Sequence, residues 1–344
     1  MAVRVGINGY GRIGRSFHRA ILAQGGDAGV ELVAVNDPFG DSETMAFLLK
    51  HDSVGGRLSN DVQTTAEGFS VDGNTITLLQ EKDPGQIPWG DQGVDVVIES
   101  TGLFTAREGA AGHLNGGAKK VVISAPSGDA DVTVCMGVNH DTYDPASHDV
   151  ISNASCTTNC LAPLAKVVND NFGIQQGFIT TVHAYTSDQA LQDIAKASRK
   201  GKADVRRMRA AALSIIPSST GAAKAIGLVL PELQGKLDGT AMRVPVPDGS
   251  ITDMVAVVDR DVSIDEVNDA FQKAAADASF MGVLEYSDQE LVSQDIVGSP
   301  KSCVFSAPDT MVNGRLVKVL GWYDNEFGYS NRLVDLVGFL GERL

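Results

Sequence analysis

The sequence predicts an α/β protein in two parts, an N-terminal parallel sheet followed by an α+β part whose sheet is mostly antiparallel. Three observations carry this. Up to about residue 155, apolar runs at 3–7, 30–35, 94–100 and 121–125 alternate with helix-like stretches. Between the first two runs, Ile13, Phe17 and Ile21 recur at spacing four within 13–24, the face of an amphipathic helix. Beyond that point a helical segment (157–171) leads into strand-like runs at 178–185, 240–246, 251–259, 303–306 and 316–323, with few helices between the last four. A final apolar helix at 330–340 closes the chain. No internal repeat or low-complexity linker separates the halves, so the boundary near Ser155 is a change of pattern rather than a tether.

With 344 residues, 43% of them hydrophobic, the chain is long enough for two domains with a sizeable core. No apolar run approaches the roughly 18 residues of a membrane span. The N-terminus enters a strand-like run directly, without a cationic and apolar leader, and the last residues carry no lipidation or retrieval signal. The expectation is a cytoplasmic protein. A formal charge of −15 argues against nucleic acid and anionic membranes as partners. Asp outnumbers Glu by 31 to 12, which suits either a salt-tolerant solvated surface or a compositional bias. Four scattered cysteines make neither a disulfide framework nor a zinc site, so no metal is expected.

Gly9-Tyr10-Gly11-Arg12-Ile13-Gly14 is a GxGxxG placed between a strand and an amphipathic helix, which marks the parallel sheet as Rossmann-type. Gly9 permits the tight turn, Gly11 lets a pyrophosphate approach the backbone, and Gly14 lets helix pack on strand. The helix N-terminus offers its free N–H groups to the phosphates. Asp37 follows the second strand, 23 residues past Gly14, where a carboxylate accepts from both ribose hydroxyls and repels a 2′-phosphate. NAD is the expected cofactor.

Ser152-Asn153-Ala154-Ser155-Cys156 precedes an apolar stripe of Leu161, Leu164 and Val168 at helical spacing. Ser155 is a good N-cap, which puts Cys156 at a helix N-terminus, where the dipole favours a thiolate. Pro163 conflicts with this helix and is expected to bend it or delay its regular start. Cys135 and Cys303 read as buried structural thiols, and Cys160, one turn beyond Cys156, as core or as a resolving thiol. The base is expected from His183, in a strand-like run. His18, His51, His113, His140 and His148 have no comparable context. Ser218-Ser219-Thr220-Gly221, ahead of a helix-like run at 222–230, offers hydroxyls and helix N–H groups to an anion. Arg206, Arg207 and Arg243 add groups suited to bidentate phosphate contacts.

Together GINGYGRIG, SNASCTTNC, TTVHAYT, SSTGAAKA, MRVPVP and WYDNEFGYSN resemble the glyceraldehyde-3-phosphate dehydrogenase family, in order and over nearly the whole chain. The resemblance implies an NAD-binding domain at 1–155, to which a helix within 325–344 returns, and a catalytic domain at 156–324. It implies a homotetramer. By motif matching, Arg12, Ile13 and Asp37 would contact NAD, with Lys82 and Ser124 near its adenine half. Asn325 would hold the nicotinamide carboxamide, with Tyr329 nearby. One phosphate site would be Thr186, Asp188 and Arg243, and the other Ser155, Thr157, Thr220, Gly221 and one or both of Arg206 and Arg207. The implied reaction is oxidation of glyceraldehyde 3-phosphate with inorganic phosphate, through a Cys156 hemithioacetal and thioester, with His183 as acid/base.

One stretch departs from the family pattern. Residues 190–204 are longer than the family's loop and carry Lys196, Arg199, Lys200 and Lys202, which weighs against strict exclusion of NADP while Asp37 weighs for it. Erythrose-4-phosphate dehydrogenase is a rival reading that ends in hydrolysis, and a non-catalytic NAD-binding protein on the same scaffold is another.

Overall fold

A computed structural model describes residues 2–195, 204–280 and 282–344. Two compact units make up the fold. One holds the chain as far as Val134 together with Asp141–Ala154 and Ser330–Leu344, and the other holds Cys135–His140 and Ser155–Tyr329. No sequence signal marked the short Cys135–His140 segment as part of the second unit.

The first unit is built on a sheet whose parallel strands run in the order Val132–Thr133, Val150–Ser152, Lys120–Ile123, Val96–Glu99, Val3–Asn8, Val30–Asn36 and Asn74–Leu79. Gly68–Val71 and Val62–Thr64 extend it antiparallel. The central strands are buried on both faces, which explains their near-continuous apolar runs. Strand order reverses beside Val3–Asn8, and a crevice at such a switch point is where open α/β sheets take their ligands. The helix Arg12–Gln24 begins one residue before its expected start and buries Phe17, Ala20 and Ile21.

The second unit carries a sheet in the order Ile216–Ser219, Leu237–Val244, Ile174–Ala184, Ser250–Val258, Leu316–Tyr323, Cys303–Ser306 and Leu284–Ser287, with Met311–Asn313 beside Leu316–Tyr323. It is mostly antiparallel, but Ile174–Ala184 pairs in parallel with Leu237–Val244, and this pairing puts His183 level with Arg243. The helix Cys156–Phe172 packs on this sheet.

That helix starts at Cys156 and runs through Pro163, contrary to the delayed start expected from the proline. A proline inside a helix costs about 3 kcal/mol. Burial of Leu161, Leu164, Val167, Val168 and Phe172 outweighs it, at about 1.5–3 kcal/mol for each large side chain.

Ala154, immediately before the cap residue Ser155, has a φ of 54°, a left-handed conformation that a residue with a Cβ rarely adopts. Holding an L-residue there costs roughly 1–2 kcal/mol, of which a glycine's looser unfolded chain would cancel about half. The Ala154→Gly variant is therefore expected to melt about 1–4 °C higher. A lower melting midpoint by calorimetry would contradict this reading of the backbone.

Candidate active site

Two elements of the second unit bring a thiol and an imidazole together. Ser155 caps its helix by accepting from the Thr158 N–H at 3.0 Å, which makes Cys156 the first helical residue. His183 sits near the end of the Ile174–Ala184 strand. Cys156 Sγ and His183 Nε2 are 3.4 Å apart, within hydrogen-bonding reach for sulfur. Tyr323 braces both elements, because its hydroxyl bonds Thr157 Oγ1 at 2.8 Å and Thr181 Oγ1 at 2.7 Å while its ring meets His183 edge-on.

The tautomer of His183 follows from its other nitrogen. Nδ1 lies 2.7 Å from the Ala184 carbonyl oxygen and 3.0 Å from Arg243 Nη1. The carbonyl is the nearer, an approach that two bare acceptors would resist, and Arg243 Nη1 has two other acceptors, so Nδ1 carries the proton and donates to the carbonyl. Nε2 is then bare and accepts from the Cys156 thiol. Arg243 Nη1 donates to the same carbonyl at 3.0 Å and to Thr186 Oγ1 at 3.1 Å.

Burial pushes the Cys156 thiol up to about 11, against the Arg243 charge and hydrogen bonds from Thr157, which pull it down. The helix N-terminus therefore favours a thiolate as the sequence suggests, but burial is the larger influence. Burial, and Arg243 after it, hold His183 down to about 3. Both partners are accordingly neutral near pH 7. The imidazole is a base waiting for a proton, and the thiol gives it up as its sulfur attacks.

Around this pair the structure gathers Arg243, Thr186, Asp188 and Arg207. Thr186 bonds Asp188, and Asp188 pairs with Arg207. Burial opposes ionisation of Asp188, yet the Thr186 hydrogen bond and the Arg207 charge hold its carboxyl below the usual range. Arg207, one of the two arginines that the motif offers to the other phosphate set, is held here by Asp188. Arg243 Nε is buried and has no hydrogen-bond partner, an N–H that an anion would satisfy.

The second proposed set is less uniform. Arg206 is exposed and bonds the Pro217 carbonyl at 3.4 Å. Thr220 Oγ1 accepts from Ala222 N at the start of the helix Ala222–Val229, whose cap residue Gly221 has open space above it. The Thr157 hydroxyl turns inward to Tyr323, and the Ser155 hydroxyl is committed to its cap. Asn325 is buried near these elements. Its Oδ1 accepts from Ser250 Oγ at 2.6 Å, and its Nδ2 has no partner. A buried amide donor held in one orientation fits the carbonyl of a carboxamide. Tyr329 is buried as well.

In the first unit the glycine-rich turn has the shape its residues require. Gly9 has a φ of 90°, and a side chain there would strike the Thr101 backbone at 2.7 Å. One on Gly14 would meet the Gly9 carbonyl at 2.4 Å, whereas nothing lies within 4 Å above Gly11. No side chain caps the Arg12–Gln24 helix at Gly11, and the positive end of its dipole suits a phosphate. Arg12 pairs with Asp52 at 2.6 Å. Asp37 Oδ2 accepts from Tyr10 N and Oδ1 from Phe39 N, both at 3.0 Å, which leaves a lone pair on each oxygen for a ribose hydroxyl. Ser124 bonds the Glu99 carbonyl, and Lys82 is exposed.

A family model described as the glyceraldehyde 3-phosphate dehydrogenase NAD binding domain matches residues 3–107, and one described as its C-terminal domain matches residues 155–325. The chain belongs to the glyceraldehyde 3-phosphate dehydrogenase family. It is 59% identical to a glyceraldehyde-3-phosphate dehydrogenase of Streptomyces coelicolor over the whole of both chains. It is 57% identical to one of Mycobacterium avium and 56% identical to one of Mycobacterium bovis, again over their full lengths. The NAD binding domain match contains the glycine-rich turn, Asp37 and Lys82, and the C-terminal match contains Cys156, His183 and both phosphate sets. The parallel sheet and the mostly antiparallel sheet are the α/β architecture expected for this family. No described helix is long and apolar enough to cross a membrane.

Several residues that shape this family member's site were given no role by the sequence, although Tyr323 lies within WYDNEFGYSN. Ser250 orients Asn325 and accepts from Ala184 N at 3.0 Å, and Tyr323 ties helix to strand. Both lie in alternating strand patterns, where an inward polar residue looks like any other. His113, passed over for want of a motif, belongs to a buried net beneath the glycine-rich turn. Trp89 Nε1 donates to its Nδ1, and its Nε2 donates to Glu99, which also accepts from Asn8 at 2.6 Å. Lys196, Arg199, Lys200 and Lys202 lie outside the described residues.

Removing the imidazole leaves bulk solvent as the only proton acceptor for Cys156. The His183→Asn variant is expected to lose about two to four orders of magnitude in kcat at pH 7. Because the attacking thiolate then forms only by ionisation towards a pKa of about 11, its residual rate should climb with pH through 7–9. A pH–rate profile parallel to the wild type would contradict the role of His183.

Proposed function

We propose that this chain catalyses the phosphorylating oxidation of D-glyceraldehyde 3-phosphate to 1,3-bisphosphoglycerate with reduction of NAD, in glycolysis and gluconeogenesis. The observation that carries the reading is the 3.4 Å contact of Cys156 Sγ with a bare His183 Nε2, set beside an arginine whose buried Nε lacks an acceptor.

The residues divide the work as follows. Cys156 Sγ attacks the aldehyde carbon, its proton passes to His183 Nε2, and a hemithioacetal forms. The resulting imidazolium and the Cys156 N–H, which has no acceptor within its helix, steady the oxygen as charge develops on it. Bound NAD supplies the acceptor for the hydride that leaves the adduct carbon, and a thioester remains on Cys156. Inorganic phosphate adds to the thioester carbonyl, the Cys156–carbon bond breaks, and the acyl phosphate departs. Sulfur suits both halves, being a strong nucleophile and a good leaving group.

For binding, Gly9, Gly11, Gly14 and the Arg12 and Ile13 N–H groups take the pyrophosphate. Asp37 takes the ribose, Lys82 and Ser124 lie by the adenine half, and Asn325 holds the carboxamide with Tyr329 nearby. Thr186, Asp188 and Arg243 form one phosphate site, and Arg207 supports it through Asp188. Ser155, Thr157, Thr220, Gly221 and Arg206 form the other. Residues 1–155 with the final helix act as the NAD-binding domain and residues 156–324 as the catalytic domain. We take the assembly to be a cytoplasmic homotetramer. Leu191, Leu213 and Ile215, at 86, 84 and 68% exposed, support subunit contacts on the second unit.

A steady-state assay with glyceraldehyde 3-phosphate, varying phosphate, NAD and NADP, tests this directly. Turnover is expected to require phosphate and to prefer NAD, because Asp37 repels a 2′-phosphate. Turnover independent of phosphate would favour the hydrolytic erythrose-4-phosphate reaction instead, and a clear NADP preference would refute the reading of Asp37.

A further inference from the structure

The reaction uses one of four free cysteines. Two of the others are packed together in the second unit. Cys160 and Cys303 are both fully buried, one on the Cys156–Phe172 helix and one on the Cys303–Ser306 strand. They meet over Gly321, in the middle of the Leu316–Tyr323 strand. The position that a side chain on Gly321 would take lies 2.7 Å from Cys303 Sγ and 3.0 Å from Cys160 Sγ. A mid-strand glycine weakens a sheet, and here its missing side chain makes the room that two sulfurs fill. The Cys160 thiol also donates to the Gly321 carbonyl at 3.4 Å. Burial and the adjoining Cys160 thiol push the Cys303 thiol well above its ordinary value, which keeps the pair as inert thiols unless an oxidising sulfur is delivered to it.

Such a delivery route is present. Cys156 keeps part of its surface open and lies one helical turn before Cys160 on the same face. Tyr323 marks the same line on the strand, since both Cys156 and Cys160 act on its hydroxyl, and Gly321 is the next residue on that face. We propose that Cys160 and Cys303 are a second redox pair that takes over oxidation from Cys156 and stores it as a buried disulfide, returning Cys156 to its thiol. The proposal rests on Cys156 being the reactive nucleophile.

The chemistry balances with a hydroperoxide as oxidant. Cys156 sulfur attacks the peroxide, the O–O bond breaks, and Cys156 sulfenic acid forms with release of an alcohol or water. The Cys160 thiol condenses with it, a Cys156–Cys160 bond forms, and water leaves. Cys303 sulfur then attacks Cys160, and the departing Cys156 sulfur takes up a proton as Cys303 loses one. The net change is two electrons from the Cys160–Cys303 pair to the peroxide. Residues one turn apart have Cβ atoms about 5–6 Å from each other, whereas a disulfide needs about 3.5–4.5 Å, so the first turn must loosen. Cys156 occupies the helix end, where its N–H holds no helical bond and loosening is easiest.

The test treats the full-length protein with one equivalent of hydrogen peroxide, blocks free thiols by alkylation, and maps non-reduced peptides by mass spectrometry while activity is followed without added thiol. The expected result is a Cys160–Cys303 cross-link, an alkylated Cys156, and activity that falls and then returns. Cys135, buried and solitary, should stay reduced. The Cys303→Ser variant is expected to keep full activity beforehand and to show no recovery after peroxide, and Cys303→Ala serves if the serine variant does not fold. Cys156 ending as sulfinic acid or bonded to Cys160 with Cys303 still reduced would overturn the proposal, as would wild-type recovery in the variants. Failure of the nucleophile reading looks different, with no sulfenic acid trapped at Cys156 and no NADH formed, and it would overturn the proposal as well.

Discussion

A sulfur at the start of a helix and a bare ring nitrogen at the end of a strand are held 3.4 Å apart, and the chemistry depends on that separation. Neither element fixes it alone. Ser155 sets where the helix begins, and the Ala184 carbonyl sets which nitrogen of His183 is bare. The Tyr323 hydroxyl, shared between Thr157 and Thr181, keeps the two elements in step. The Tyr323 and Ala184 contacts are buried, so water competes little for them. Such a surrounding shell is what holds reacting groups to the tolerance that catalysis needs.

The electrostatics of the site follow from the same burial. Two neutral partners cost little to bury, whereas an ion pair would need its charges compensated. Arg243 supplies the compensation in advance, since it lowers the thiol and the imidazole pKa alike while offering an N–H to an anion. On the other side stand Asp248 and Asp324. Burial, and then the Asp324 and Glu326 charges, push the Asp248 carboxyl up, and its own charge raises the Cys156 thiol in turn. Asp324 accepts from the N–H groups of Gly298, Glu326 and Phe327, donors suited to a carboxylate at the start of the final helix.

Much of this is legible in the amino-acid sequence. The GxGxxG with Asp37 behind it specified a turn, a helix start and a strand end, because Gly9 and Gly14 sit where a side chain would strike the backbone. Cys156 behind a serine cap was equally plain. The harder parts were those that depend on pairing across the sheet. The level placement of His183 and Arg243 comes from a parallel pairing of strands that a one-dimensional pattern does not contain. The ion pair of Arg207 with Asp188 likewise joins residues that no motif links. The strands Ile216–Ser219, Leu284–Ser287 and Met311–Asn313 are too short for a periodic signal. The helix Ile264–Ala275 was missed although its capping box, Ser263 with Glu266, stands in the sequence. Pro163 shows the opposite case, since the helix begins at Cys156 without the delay, held by burial on nearly every side.

The central claim is that the substrate's carbon becomes bonded to one sulfur while it is oxidised. Mixing the protein with glyceraldehyde 3-phosphate and NAD in the absence of phosphate, quenching in acid and mapping the peptides by mass spectrometry tests this most directly. The expected result is a 3-phosphoglyceroyl thioester on the peptide containing Cys156, and its loss when phosphate is added before the quench. An unmodified Cys156 peptide in a sample that has formed NADH would contradict the account.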